Sequence, residues 1–203
     1  MAICMVAFGT SIVNCAWVCD DAYITFRTID NWVNGFGLRW NIAERVQSFT
    51  HPLWLFLITP AYLLLGNIYY ASVILSLILS AASVWLVLRV FGDHWLKPLW
   101  MGLAFALSKA FVDYSTSGLE NPLSHLLLVA FLVVYLQSGD ANRTVHLSLL
   151  AGLAMLNRLD SILLIAPALL YSLMNLRRQK ALRAVLIGFA PLLVWFAFAF
   201  FYY

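Results

Sequence analysis

The chain has 203 residues, of which 64% are hydrophobic and 10% charged, with 12 Lys+Arg against 9 Asp+Glu and a net charge of +3. Average globular chains are about 45–50% apolar and about 25% charged, and a soluble domain of this size buries only about 70% of what its unfolded chain exposes. Disorder, a collagen-like repeat and a nucleic-acid-binding domain are excluded, since no basic face exists for a phosphate backbone; an all-α, polytopic transmembrane bundle remains.

Residues 1–19 are apolar and lack the basic start of a signal peptide, so they are expected to form a first membrane helix. Cys4, Cys15 and Cys19 lie within it, odd in number and without metal-site spacing, and read as small apolar residues.

Residues 20–50 form the longest polar stretch. Within it Ala22, Phe26, Ile29 and Val33 recur at helical spacing beside a polar stripe of Asp20, Arg27 and Asn31. This pattern predicts an amphipathic helix on the membrane surface. Gly35 and Gly37 can end it, and Trp32, Trp40 and Trp54 suit the headgroup level. The pair Asp20–Asp21 directly follows an apolar helix. Two adjacent carboxylates at such a boundary either share a cation or raise one another's pKa, or mark a helix end drawn into water.

Segment 52–66 carries Pro52 and Pro60 and is short for a span. Spans are expected at 68–91, 98–113, 121–137, 146–157, 161–176 and 184–203, which with 1–19 makes about seven. Cytoplasmic loops collect Lys and Arg. The densest cluster, Arg177, Arg178, Lys180 and Arg183, falls inside with Arg89, Lys97 and Arg143 if 52–66 does not cross. Segment 52–66 is therefore expected to be a re-entrant or surface-lying helix pair. The same orientation puts Asp20, Asp21, Asp30, Glu44, Asp113, Glu120 and Asp160 outside and only Asp93 and Asp140 inside.

Arg158 and Asp160 interrupt two apolar segments. The first, 146–157, reaches roughly 18 Å and cannot cross alone, so its end should lie at membrane depth, facing a protein cavity. A self-satisfied Arg158–Asp160 pair is the simpler alternative. His51, beside Pro52, is a candidate for touching a substrate or an interfacial histidine. His94, His125 and His146 match no ligand spacing. No phosphate-binding glycine loop, nucleophile elbow or zinc motif is present. The aromatic tail FAFAFFYY reads as a lipid-facing helix with Tyr202 and Tyr203 at the outer boundary.

The runs DDAYITFR, GFGLRWN and ERVQSFTHPLW resemble the first outer loop of the GT-C superfamily of membrane glycosyltransferases, in the branch similar to arabinofuranosyltransferases and protein O-mannosyltransferases. SGLENPL at 117–123 and GLAMLNRLD at 152–160 agree with it, so the resemblance runs over the whole chain. It implies a GT-C-like fold with juxtamembrane helices and a sugar donor carried on polyprenyl phosphate. It also implies a glycan, lipid or protein acceptor, and an integral, multi-pass place in a bacterial plasma membrane. An outer-loop carboxylate, Asp20 or Asp21, would deprotonate the acceptor hydroxyl, with a slight preference for Asp20, which shares the stripe with Arg27. Glu120 would orient the acceptor or help bind a divalent cation. Arg27 and Arg158 would meet the phosphate, with Lys109 a weaker candidate. The alternatives are a transporter or flippase-like protein, marked by charged groups at membrane depth, and a non-catalytic membrane fragment. The pattern stops at Tyr203, so 1–203 is expected to be a single domain truncated at its C-terminus, with weak or no turnover alone.

Overall fold

The structure is a computed structural model, and it describes residues 2–92, 96–136, 142–174 and 176–203. The expected inward placement of Asp93 and Asp140, and His94, lie outside these residues, as does the side chain of Cys4.

Among the described residues the regular structure is helical: α1 (Ala2–Asn14), α2 (Ala22–Val33), α3 (Pro52–Leu65), α4 (Ile68–Phe91), α5 (Leu96–Leu107), α6 (Lys109–Tyr114), α7 (Asn121–Leu136), α8 (Arg143–Asn157), α9 (Ile162–Met174) and α10 (Arg178–Tyr202), with a short 3-10 turn at Leu159–Ser161. The all-α expectation holds. Seven spans are not supported, because among the described residues only α4, with 24 residues, and α10, with 25, are long and apolar enough to cross a bilayer. The reasons are local. The expected span 98–113 breaks at Ser108, whose backbone is extended and whose hydroxyl accepts from the Phe111 amide at the start of α6. The break expected between 146–157 and 161–176 is present, where Arg158 takes extended angles after α8, and it leaves α8 with 15 residues and α9 with 13, each short for a span.

Segment 52–66 is one helix rather than a pair. Pro60 sits inside it without ending it, while Gly66, at φ 69°, and Asn67, whose side chain accepts from the Tyr70 amide, turn the chain tightly into α4. The amphipathic helix of the first loop is present as α2. It buries Ala22, Thr25, Phe26, Thr28 and Ile29, whereas Val33 stays exposed. The Tyr62 hydroxyl donates to Asp30 at 2.9 Å, and Trp32 meets Phe56 edge-on at 5.6 Å, so α3 is laid along α2.

Helices α7 to α10 form an up-and-down bundle. Asn157, at the end of α8, bonds Ser124 near the start of α7, while Arg143, at the start of α8, stacks over Tyr135 near the end of α7. These two helices are antiparallel. Helices α8 and α10 run parallel at close range. A Cβ on Gly152 would meet the Gly188 carbonyl oxygen at 2.5 Å, and one on Gly188 would meet Ser148 at 2.3 Å. Small residues let the two backbones touch. The bundle therefore has two distinct ends. Arg143 and the Arg177–Arg183 cluster mark one, and Glu120, Arg158 and Asp160 the other.

The larger apolar core joins α2, α3 and α7 to α10 around Trp54, Leu55, Ile58 and Leu147; the smaller one packs Phe8 and Ile12 of α1 against Val84 and Leu88 of α4. Trp54 is a correction to its expected headgroup position. It is fully buried, and its indole N–H donates to the Gly118 carbonyl at 2.9 Å, which satisfies the one polar atom that would otherwise favour an interface.

Candidate functional site

The site is built where segment 115–120 meets the end of α1 and the first loop. The Cys19 amide donates to the Ser117 carbonyl at 2.8 Å, and the Trp17 amide to the Thr116 hydroxyl at 3.3 Å. Gly118, at φ 76°, passes so close that a Cβ would lie 2.9 Å from both Ala22 and Val18. Only glycine fits that angle and that gap. This stitching brings Glu120, at the entry to α7, beside α2 and the stretch that links it to α3.

Glu120 is buried and held from two sides. Its Oε2 lies 3.3 Å from Nδ1 of His51, and its Oε1 lies 3.3 Å from a terminal nitrogen of Arg158. The other nitrogen of the His51 ring, Nε2, lies 2.6 Å from the Thr25 hydroxyl. A neutral imidazole satisfies both contacts when Nδ1–H donates to Glu120 and the Thr25 hydroxyl donates to Nε2. Burial holds the His51 pKa below its ordinary value; Glu120 opposes this and Arg158 reinforces it.

Arg158 spans the gap from Glu120 to the rim. Its guanidinium also forks onto Asp160, with Nε 3.1 Å and a terminal nitrogen 2.9 Å from the two carboxylate oxygens. The hydrogen bond from Arg158 holds the Asp160 carboxyl below the usual range, and the same bond raises Arg158. The self-satisfied pair considered from the sequence is therefore present, but the guanidinium is shared with Glu120 as well. Asn157, fully buried, fixes the junction from beneath: its amide donates to the Glu120 carbonyl at 3.1 Å and to the Ser124 hydroxyl at 2.9 Å.

Two cavities adjoin this network. One, of about 250 Å³, is lined by Asp21, Thr25, Ser48, Thr50, His51 and Glu120. The other, of about 360 Å³, is lined by Asn121, Ser124, His125, Arg158, Asp160 and Ser161, with Leu128, Leu163 and Leu164 as its apolar wall. The Glu120–Arg158 contact lies between them. Next to the first cavity, Phe49, Phe56 and Phe198 gather around Trp195, with ring centroids 5.4–5.9 Å apart.

The expected site residues separate accordingly. The structure brings together Asp21, His51, Glu120, Arg158 and Asp160. Asp20, preferred from its stripe, does not line either cavity. It is exposed, and its carboxyl is held low by the Cys19 thiol at 3.2 Å and the Asp21 amide at 3.1 Å, which makes it a weaker base. Cys19 is thus a hydrogen-bond donor rather than only a small apolar residue. Arg27 also stands apart, exposed, with its guanidinium over the Trp40 ring at 4.5 Å. Lys109 pairs with Asp113, one turn on along the exposed face of α6. Sequence reasoning did not single out Thr25, Ser124 or Asn157. A polar residue closing an apolar helix next to Arg158 was the available signal for Asn157.

Among the described residues, the group that could hold a metal ion is Cys19, Asp20 and Asp21, whose ligand atoms lie within 4.8 Å of one another. A hard divalent cation takes six or more oxygens, and this exposed group offers two carboxylates and a thiol, so the fit is poor.

Fold and site together define an all-helical, strongly apolar protein in which a buried carboxylate–histidine pair is joined to a partly exposed guanidinium at one end of its bundle. The chain is 28% identical over 207 aligned residues to the terminal beta-(1->2)-arabinofuranosyltransferase of Mycobacterium tuberculosis (strain ATCC 25618 / H37Rv), and the match covers 92% of this chain but 33% of that protein's length. No protein-family model matches the chain, and no solved structure does.

Proposed function

We propose that this chain forms the acid–cation end of a multi-pass membrane glycosyltransferase of the GT-C type, acting at the outer face of a bacterial plasma membrane. The observation that carries the reading is the placement of Asp21, His51 and Glu120 around one small cavity whose wall is tied to Arg158, in a chain similar along most of its length to an arabinofuranosyltransferase.

In this reading the donor is a sugar on polyprenyl phosphate and the acceptor is a hydroxyl of a glycan, lipid or protein. The acceptor enters the cavity at Asp21. The Asp21 carboxylate takes the hydroxyl proton as the oxygen attacks the anomeric carbon. The bond from that carbon to the phosphate oxygen breaks, its electron pair leaves with polyprenyl phosphate, and the configuration inverts. Arg158 meets the phosphate in the second cavity, where charge develops, by exchanging the exposed Asp160 arm of its fork for phosphate oxygens. Leu128, Leu163 and Leu164 line the way for the first isoprene units. Glu120 and neutral His51 hold Arg158 and the acceptor in register. No step is routed through a metal.

The test is transfer of labelled sugar from a polyprenyl-phosphate donor in proteoliposomes, run with the chain in large excess so that the weak turnover expected of residues 1–203 alone is read, with donor binding followed separately by quenching of tryptophan fluorescence. Asp21→Asn is expected to lower product formation by about 10²–10⁴-fold while leaving donor binding intact. Arg158→Gln is expected to lose donor binding. Equal transfer by Asp21→Asn and the parent would overturn the assignment of the base, and donor-independent sugar flux would favour a transporter.

A further inference from the structure

We infer that the basic end of the bundle, remote from Glu120, holds an anionic membrane phospholipid, gripped by its phosphate. Because α8 and α10 run parallel, both begin at this end. Between their first turns lies a cavity of about 420 Å³. Asn142, Thr144, Lys180 and Arg183 line its polar side, and Val145, Leu176 and Ile187 its apolar side. Buried Ala184 floors it.

The charges belong to this cavity rather than to a diffuse surface. Lys180 and Arg183 stand three residues apart on α10 and so share one face. Both are exposed, and neither has an ion-pair partner among the described residues. Arg143, by contrast, is committed elsewhere, stacked over Tyr135 and donating to its carbonyl. The amide ends of α8 and α10 add partial positive charge of the same sign. A free anion would use only the polar half of the lining. A phosphate carrying acyl chains uses both halves, with the headgroup at Lys180 and Arg183 and the chains along Leu176 and Ile187. Basic pockets between membrane helices hold such headgroups on the cytoplasmic side.

The experiment is native mass spectrometry of the full chain released from nanodiscs of phosphatidylglycerol, of phosphatidylcholine, or of their mixture. One phosphatidylglycerol per chain is expected to stay bound, in preference to phosphatidylcholine by about tenfold or more. The double variant Lys180→Gln/Arg183→Gln is expected to lose that preference. The double variant Arg177→Gln/Arg178→Gln, equal in charge but outside the cavity, is expected to change it by less than about threefold. All four positions are exposed, so misfolding does not mask the outcome. Equal weakening by both pairs, no lipid preference, or displacement by inorganic phosphate at lipid-equivalent concentration would each overturn the proposal. None of these readings depends on sugar transfer.

Discussion

Glu120 and Asp160 are two carboxylates held by one guanidinium in opposite settings. Glu120 is 7% exposed and backed by His51 at 8%, whereas the Asp160 side chain is 61% exposed. An exposed ion pair contributes about 0.2–1 kcal/mol, because water screens the charges and long side chains lose freedom. Taking one partner from a buried pair costs about 3–5 kcal/mol, because the charge left behind has no water to turn to. Arg158 therefore does unequal work at its two contacts. Toward Glu120 it compensates a charge the fold has already buried. Toward Asp160 it makes a replaceable contact at the rim, which is the property a ligand-binding cation needs.

The largest break in this comparison comes from Arg158→Met. The aliphatic stem is kept and the charge is lost, so Glu120 keeps only a neutral imidazole. A loss of about 3 kcal/mol of stability is expected, at the low end of the buried range because the Arg158 side chain is 43% exposed. Denaturant unfolding in detergent, followed by tryptophan fluorescence, checks this. A loss below about 1 kcal/mol would put the inner contact in the same class as the rim.

The next effect separates the two sides by pH. Burial holds the folded His51 below its ordinary 6.5, with Arg158 acting in the same direction. Below 6.5 the unfolded chain therefore binds a proton that the folded chain does not. The contribution from a neutral His51 is whole above that pH and falls away as pH drops beneath it. Stability should decline there with a slope approaching about 1.4 kcal/mol per pH unit. His51→Gln keeps a donor for Glu120 and removes the titration, so its profile should be flatter below pH 6.5. Parallel profiles for parent and variant would mean that His51 is protonated in the folded chain.

Much of this arrangement is legible in the amino-acid order, and the part that is not has a common cause. Helical spacing found α2, because Ala22, Phe26 and Ile29 repeat on one face and Gly35 ends it. Charge found the polar end, because Glu120, Arg158 and Asp160 are costly within an apolar chain unless they meet. Spacing leaned slightly to Asp20, whereas Asp21 lines the cavity. That choice depends on Gly118, whose left-handed turn sets segment 115–120 against Val18 and Ala22 and so decides which carboxylate looks into the cavity. The number of spans failed for a similar reason. Apolar length counts residues, while Ser108 breaks the expected span 98–113 through a single backbone angle; the break at Arg158 was legible from its charge. Trp54 was misplaced because its partner, the Gly118 carbonyl, is a backbone atom 64 residues away.

The smallest effect sharpens the same contrast from the rim. Asp160→Ala removes the exposed arm of the fork and should cost less than about 1 kcal/mol, since screened water takes over the freed Arg158 nitrogens. The Asp160 carboxyl is held below its usual range by the Arg158 hydrogen bond, so its small contribution is present above pH 3.8 and is lost as pH falls through the lowered folded value. At neutral pH the variant should be nearly as stable as the parent. Under the proposed function it should nonetheless bind a polyprenyl-phosphate sugar more tightly, because the phosphate would no longer compete with a carboxylate for the guanidinium. Titration of the donor by tryptophan quenching measures this directly. Weaker binding in Asp160→Ala would mean that the carboxylate orients Arg158 for the phosphate rather than holding its place.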